Sequence, residues 1–231
     1  MSSPSEPRPS GASIVLPTTA GDLSLAEYGL RLDDRDFRIL HAGAIISHAD
    51  EQRFLHGDAP KMPYGVVLWP SSLALAHEIA TRPFAGLRVL ELGAGTGLPG
   101  IVAAARGAKV VQTDRQEVAL HVSRQNAERN GITTIEHRPS DWTLWEDQEQ
   151  YDCILGADIL YGDFLHPHLR HIFDTNLAPG GTLLLSDPFR QASFELLEAM
   201  EAEGWSVSFN KWTVCVTPPE RPVGVFELKK R

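Results

Sequence analysis

The sequence is poor in cysteine, in long apolar runs and in basic charge, and each shortage excludes a class of protein. Only Cys153 and Cys215 occur in 231 residues, far apart and without a CxxC pair, so there is neither a disulfide framework nor a zinc site of that kind. Both lie among apolar neighbours and read as buried free thiols in strands. No apolar stretch approaches the roughly 20 residues of a membrane-spanning helix. Residues 1–9 carry Ser and Pro without the basic cluster and apolar core of a signal peptide. The expectation is therefore a cytoplasmic protein that does not engage a membrane. Lys and Arg number 21 against 30 Asp and Glu, a formal net charge of −9, which disfavours nucleic acid as a partner because phosphate-driven binding needs a basic face. An acidic surface suits a basic partner, and equally serves solubility alone. His166, His168 and His171 cluster around Pro167, but no further ligands stand near them in sequence; a solvated face is expected and no metal.

What is present is an ordinary globular composition, 42% hydrophobic and 22% charged, in the size range of one domain. Residues 1–20 are rich in Ser, Pro, Gly and Thr and read as a flexible tail. Residues 21–62 read as an N-terminal β-hairpin extension and loop, with strands at 23–32 and 37–46 around a charged turn at 33–36. The main domain spans 63–231. A helix opens at Trp69-Pro70, where proline suits the first turn and Ser71 and Ser72 stand ready to serve its free amides. Apolar runs then follow at 88–92, 109–113, 134–137, 152–157 and 182–186. Helical patterns at 98–106, 116–130, 164–176 and 189–203 separate or follow them, and strand-like segments at 206–210 and 224–228 close the chain. The alternation predicts an α/β fold, a Rossmann-like doubly wound and mostly parallel seven-stranded sheet.

The most informative segment is Arg88-Val-Leu-Glu-Leu-Gly-Ala-Gly-Thr-Gly-Leu-Pro-Gly100: a strand, a glycine turn and a helix start. Gly93, Gly95 and Gly97, with Ala94 between the first two, let the backbone turn sharply and approach a ligand. In a doubly wound sheet such a turn lies where ligands bind. A dinucleotide fingerprint, GxGxxG, requires glycine at position 98, which is Leu98. The spacing here is GxGxG, with Glu91 two residues ahead. A carboxylate there is awkward beside pyrophosphate and useful beside an ammonium group, which points to S-adenosylmethionine. Asp114 ends the next strand, 21 positions after Gly93, and is placed to accept the ribose hydroxyls; as an N-cap it would also serve the following helix. After the third strand, Asp141 is placed to accept from an adenine amino group and Trp142 offers a flat apolar face, though an exposed turn explains the pair nearly as well.

Together these residues resemble a class I S-adenosylmethionine-dependent methyltransferase, and more closely the seven-β-strand protein-lysine methyltransferases of methyltransferase family 16. The finer likeness rests on Leu68-Trp69-Pro70, on residues 91–97, and on Ala157-Asp158-Ile159-Leu160-Tyr161, which fits a D-x-x-Y element. The resemblance covers about residues 64–190. It implies that Trp69 lies against the cofactor, Gly93 to Gly95 line its methionine part, Asp114 holds the ribose, Trp142 flanks the adenine and Ala157 contacts the cofactor through its backbone. It also implies that Asp158 and Tyr161 face the substrate amine. The residues alone also allow an N-cap and a core tyrosine at those two positions. The expected partner is a protein presenting a lysine. A small nicotinamide-like amine is the alternative acceptor, and an NAD(P)-dependent oxidoreductase or a non-catalytic nucleoside-binding module are the remoter readings. Asp187 to Arg190 have no assigned role at this stage.

Overall fold

The computed structural model describes residues 10–18, 21–42, 64–214 and 220–230. The chain forms a small sheet and a large one. Strands β1 (Ser10–Thr18), β2 (Gly21–Leu32) and β3 (Arg35–His41) make an antiparallel three-stranded sheet in that order. The hairpin expected around the charged turn is present, with Asp33 in the left-handed region at φ 51°. The sheet has one strand more than the sequence suggested: β1 occupies part of what reads as a flexible tail, its weakly apolar sequence gaining order by pairing with β2. Residues 43–46 of the expected second hairpin strand, the expected loop at 50–62 and Cys215 lie outside the described residues.

The large sheet is built from β4 (Arg88–Leu92), β5 (Lys109–Asp114), β6 (Glu136–Pro139), β7 (Tyr151–Ala157), β8 (Leu177–Asp187), β9 (Trp205–Val214) and β10 (Arg221–Lys230). Its order is β6-β5-β4-β7-β8-β10-β9, parallel through β8 and antiparallel where β10 inserts between β8 and β9. Helices α1 (Pro70–Ala80), α2 (Leu98–Ala105), α3 (Glu117–Arg129), α4 (His166–Asn176) and α5 (Gln191–Ala202) connect or cover the strands. From β4 the chain runs outward through β5 and β6, then returns to place β7 on the other flank of β4. The strand order therefore reverses between β4 and β7, and the crevice at their carboxyl ends is where such sheets take ligands. The strands are buried on both faces: Val89, Leu90 and Leu92 of β4 and Ile154 and Leu155 of β7 are inaccessible, as near-continuous apolar runs require. Cys153 of β7 is a buried free thiol whose pKa burial pushes up to about 12.

The small sheet is joined to the large one by two amides. Asn126 lies in the last turn of α3 and Asn130 caps its carboxyl end, four residues on. The Leu40 N–H donates to Asn126 (2.7 Å) and the Asn126 amide donates to the Leu40 carbonyl (3.1 Å). Asn130 repeats the pattern with Arg38 at 3.0 and 2.8 Å. Alternate residues of the β3 edge are thus paired by side chains as a strand would pair them. Asn126 also donates to the Thr96 carbonyl (2.9 Å) inside the glycine turn. Replacing Asn126 with Ala strands polar groups of β3 and of that turn. The expected loss is about 2–3 kcal/mol of unfolding free energy, read as a lower urea midpoint with unchanged slope.

Candidate active site

A cavity of about 670 Å³ opens at the carboxyl ends of β4, β5 and β7, lined among others by Trp69, Gly93, Gly95, Asp114, Trp142 and Tyr161. Its floor is the turn between β4 and α2. Gly95 sits at φ 55°, and a Cβ there would come within 3.1 Å of the Gly65 carbonyl oxygen. Gly97, at φ 80°, faces the interior, where a Cβ would collide with Ser123. Ala94 lines the cavity and its N–H donates to the Thr113 carbonyl (2.9 Å), pinning the turn to β5. Of the three glycines expected at the ligand, Gly93 and Gly95 line the cavity and Gly97 does not; its side of the turn packs on α3 and β5.

Glu91 also departs from expectation. It does not line the cavity. Its carboxyl is buried beneath the first turn of α2, accepting from the Gly100 N–H (3.1 Å) and the Gln112 amide (2.6 Å). Gln112 donates in turn to the Gly97 carbonyl (2.8 Å) and accepts from Ser123 (2.6 Å). An ammonium group in the cavity would have to displace this packing, so Glu91 supports the turn from behind. Burial, partly opposed by its two donors, pushes its pKa up to about 8.

Asp114 ties the glycine turn to the entry of α3. One oxygen accepts from the Gly95 N–H (3.0 Å), the other from the Gln116 N–H (2.8 Å) at the start of α3. It lines the cavity, and burial raises its pKa above the usual range. Asp141 caps a 3-10 turn by accepting from the Thr143 N–H (2.9 Å) and hydroxyl (2.7 Å), which hold its pKa low. The Trp142 ring lies against Gly93.

The opposite end of the cavity is formed by Trp69, Ala157, Asp158, Tyr161 and Arg190. Ser71 and Ser72 do not serve the amides of α1. Ser72 donates to the Trp69 carbonyl (2.7 Å), and Ser71 donates to the Asp158 carboxylate (2.7 Å). Asp158 has φ 61° and is almost fully buried. It forms an ion pair with Arg190, whose other side bonds Asp187 at 2.7 Å. The carboxylate expected to stand open to an incoming amine is therefore already paired, and two residues left without a role, Asp187 and Arg190, belong to the site. Burial pushes the Asp158 pKa up to about 6 against the pull of Arg190, and burial raises that of Tyr161. Ser71, Asp187 and Arg190 escaped the sequence reading because they converge from α1, from the end of β8 and from the loop after it. His166 sets its Nε2 3.2 Å from the Leu160 carbonyl, while Trp145 bonds Asn176 and Trp205 is buried, as packing roles require. Among the described residues no group of three His, Cys, Asp or Glu is arranged to hold a metal ion, and no helix is long and apolar enough to cross a membrane.

Strand order, switch-point cavity and glycine turn define a Rossmann-like methyltransferase fold. A methyltransferase from Pyrococcus furiosus superposes with a TM-score of 0.59 at 25% identity, covering 78% of this chain and 93% of that one. The sequence profile described as lysine methyltransferase matches residues 54–201, and the chain belongs to that family. It is 36% identical over 152 residues to the protein N-lysine methyltransferase METTL21A of Xenopus tropicalis, covering 62% of this chain and 70% of that protein. To the protein-lysine methyltransferase METTL21E of Bos taurus it is 35% identical over 126 residues, spanning only 42% of that protein.

The raised pKa of Glu91 makes a pH prediction. A carboxyl at about 8 in the folded chain, against an ordinary value of 4.5, takes up a proton on folding between those pH values. Its stabilising contribution is whole below the ordinary value and is lost as pH rises through the folded one. Glu91→Gln keeps an acceptor for Gly100 and cannot ionise. The variant should match the wild type near about pH 5 and exceed it by a few kcal/mol near about pH 9, read from urea midpoints at both pH values.

Proposed function

We propose that the chain is an S-adenosylmethionine-dependent N-methyltransferase whose acceptor is a lysine side chain of a protein. The observation that carries the reading is one cavity. At one end it has a nucleoside-sized cradle with open glycine backbone and a half-buried carboxylate, and at the other an aromatic and acidic end, in a chain of the lysine methyltransferase family. The naming of METTL21A and METTL21E as protein-lysine methyltransferases supports the choice of acceptor.

The residues fit the cofactor by their donor set. Gly93 and Gly95, with the small Ala94 between them, offer accessible backbone for the methionine part, Asp114 a carboxylate for the ribose, and Asp141 and Trp142 an acceptor and a flat face for the adenine. Trp69 and the backbone of Ala157 close the far side. S-adenosylmethionine supplies a methyl group already activated on a sulfonium, so the hard chemistry resides in the cofactor. The protein has to align the nucleophile and exclude water. A lysine amine, with an ordinary pKa of about 10.4, must first lose its proton. The burial that favours the neutral amine comes from Trp69 and Tyr161, whereas Asp158 favours the charged form. Asp158 therefore receives and aligns the ammonium. Tyr161, its pKa raised, keeps its proton at neutral pH and acts as a hydrogen-bonding wall.

Incubation of a cell lysate with the protein and tritiated S-adenosylmethionine tests the reading. Label is expected in protein and, after acid hydrolysis, in methyl-lysine. Label confined to small molecules would move the acceptor to a small amine, and calorimetric binding of NAD in place of S-adenosylhomocysteine would refute the cofactor. Asp114→Ala should weaken S-adenosylhomocysteine binding by at least roughly tenfold, the scale of lost hydrogen bonds to a charged acceptor.

A further inference from the structure

We infer that Arg190 is the positioning residue of the acceptor end: bridging Asp187 to Asp158, it holds the Asp158 carboxylate ionised and in one orientation at the cavity wall. The kinetic part of this inference rests on the methyl-transfer reading above.

The geometry begins with Asp187, the last residue of β8, which is wholly buried. One of its oxygens accepts from the Arg190 backbone N–H (2.7 Å) and the other from the Arg190 guanidinium (2.7 Å). A single carboxylate thereby fixes both the backbone and the side chain of Arg190. The guanidinium, 14% exposed, then reaches Asp158 at the end of β7. Planar donors in a fixed fork suit this double attachment, and a lysine ammonium does not reproduce it.

Backbone strain marks the same bridge at both ends. Among the described residues, only Asp33, Asp158 and Phe189 have positive φ without being glycine. Asp33 is in a hairpin turn; the other two are the bridged carboxylate and the residue just before Arg190. A bulky side chain at φ 66° is costly and persists only where its surroundings over-determine it. Phe189 is held by stacking on Phe194 at 5.9 Å and by edge contacts with Phe209 and Phe226 at 5.9 and 6.1 Å. Asp158 is held by its N–H donating to the Ser186 carbonyl (2.8 Å), while the Ser186 hydroxyl donates to the Ser71 carbonyl (2.9 Å). Without such anchoring both residues would relax out of the left-handed region, and the charges would separate.

The electrostatics agree. The groups acting on Asp158 are Arg190 from the loop after β8, Asp187 at the end of β8 and the Ser71 hydroxyl from α1, with Tyr161 also in its field. Burial favours the protonated acid and Arg190 opposes it. One guanidinium between two carboxylates leaves the cluster with one negative charge in excess, which an incoming ammonium balances. Removal of Arg190 alone leaves two buried carboxylates facing each other.

The test compares the wild type with Arg190→Gln and Arg190→Lys. Asp158 is followed by carbon-13 NMR of aspartate-labelled protein, with Asp158→Asn assigning its signal. In R190Q the Asp158 midpoint should rise by at least about one pH unit, the scale of a lost opposite charge. Methyl transfer into lysate protein should fall at least roughly tenfold, while S-adenosylhomocysteine affinity by calorimetry stays within about threefold. R190K should return the titration toward the wild type and leave transfer reduced; it also carries the test if R190Q does not fold. An unmoved Asp158 midpoint in the folded variants, a wild-type rate in R190K, or cofactor affinity lost in step with the rate would overturn the inference. If the wild type binds S-adenosylhomocysteine but labels no acceptor, the methyl-transfer reading fails and the titration alone decides the role of Arg190.

Discussion

The turn from β4 into α2 is the constraint on which the rest depends, because it must expose backbone on one side while being gripped on the other. The grip comes from a buried polar chain. Glu91 bonds Gly100, Gln112 bonds Glu91 and the Gly97 carbonyl, and Ser123 bonds Gln112. On the cavity side the turn is held by Asp114 through the Gly95 N–H. The carboxyl behind is buried and protonated at neutral pH; the one in front reaches the cavity. A turn made of glycine is entropically costly to order, and here the cost is offset by side chains from β4, β5 and α3 that close on it.

The small N-terminal sheet belongs to the same support. Asn126 bonds β3 and the Thr96 carbonyl with one amide, so the sheet, α3 and the glycine turn share a buried polar contact. Such a contact is stabilising only when every member is satisfied. The hairpin is thus continuous with the floor of the cavity.

Much of this was legible in the sequence, for a physical reason. Strands buried on both faces read as apolar runs, and β4, β5 and β7 fell within a residue of their expected bounds. Gly93, Gly95 and Asp114 were legible because a close backbone approach and a strand-end carboxylate follow from spacing along the chain. Elements with a weak apolar signal were harder. β1 carries Ser, Gly and Pro among its apolar residues. β6, an edge strand, starts two residues later than expected. The direction of a side chain was hidden as well: Glu91 precedes the turn yet points beneath α2, because in a strand alternate residues face opposite sides. Hidden too were partners that only the fold brings together, such as Ser71 with Asp158, or Asn130 with Arg38.

The Asp158 end of the cavity shows what such partners do to a buried charge. The sequence offered Asp158 as a free carboxylate, but a free carboxylate buried at the base of a cavity would take up a proton and lose the charge that draws in an ammonium. Pairing it with one cation alone would neutralise it. The arrangement found avoids both outcomes. Arg190 keeps Asp158 ionised, and Asp187, bound to the same guanidinium, returns one negative charge to the cluster. The positive φ of Asp158 and of Phe189 places the backbone on either side of this bridge in an uncommon conformation. On the proposed reading, the excess negative charge of this cluster is what an ammonium acceptor would balance.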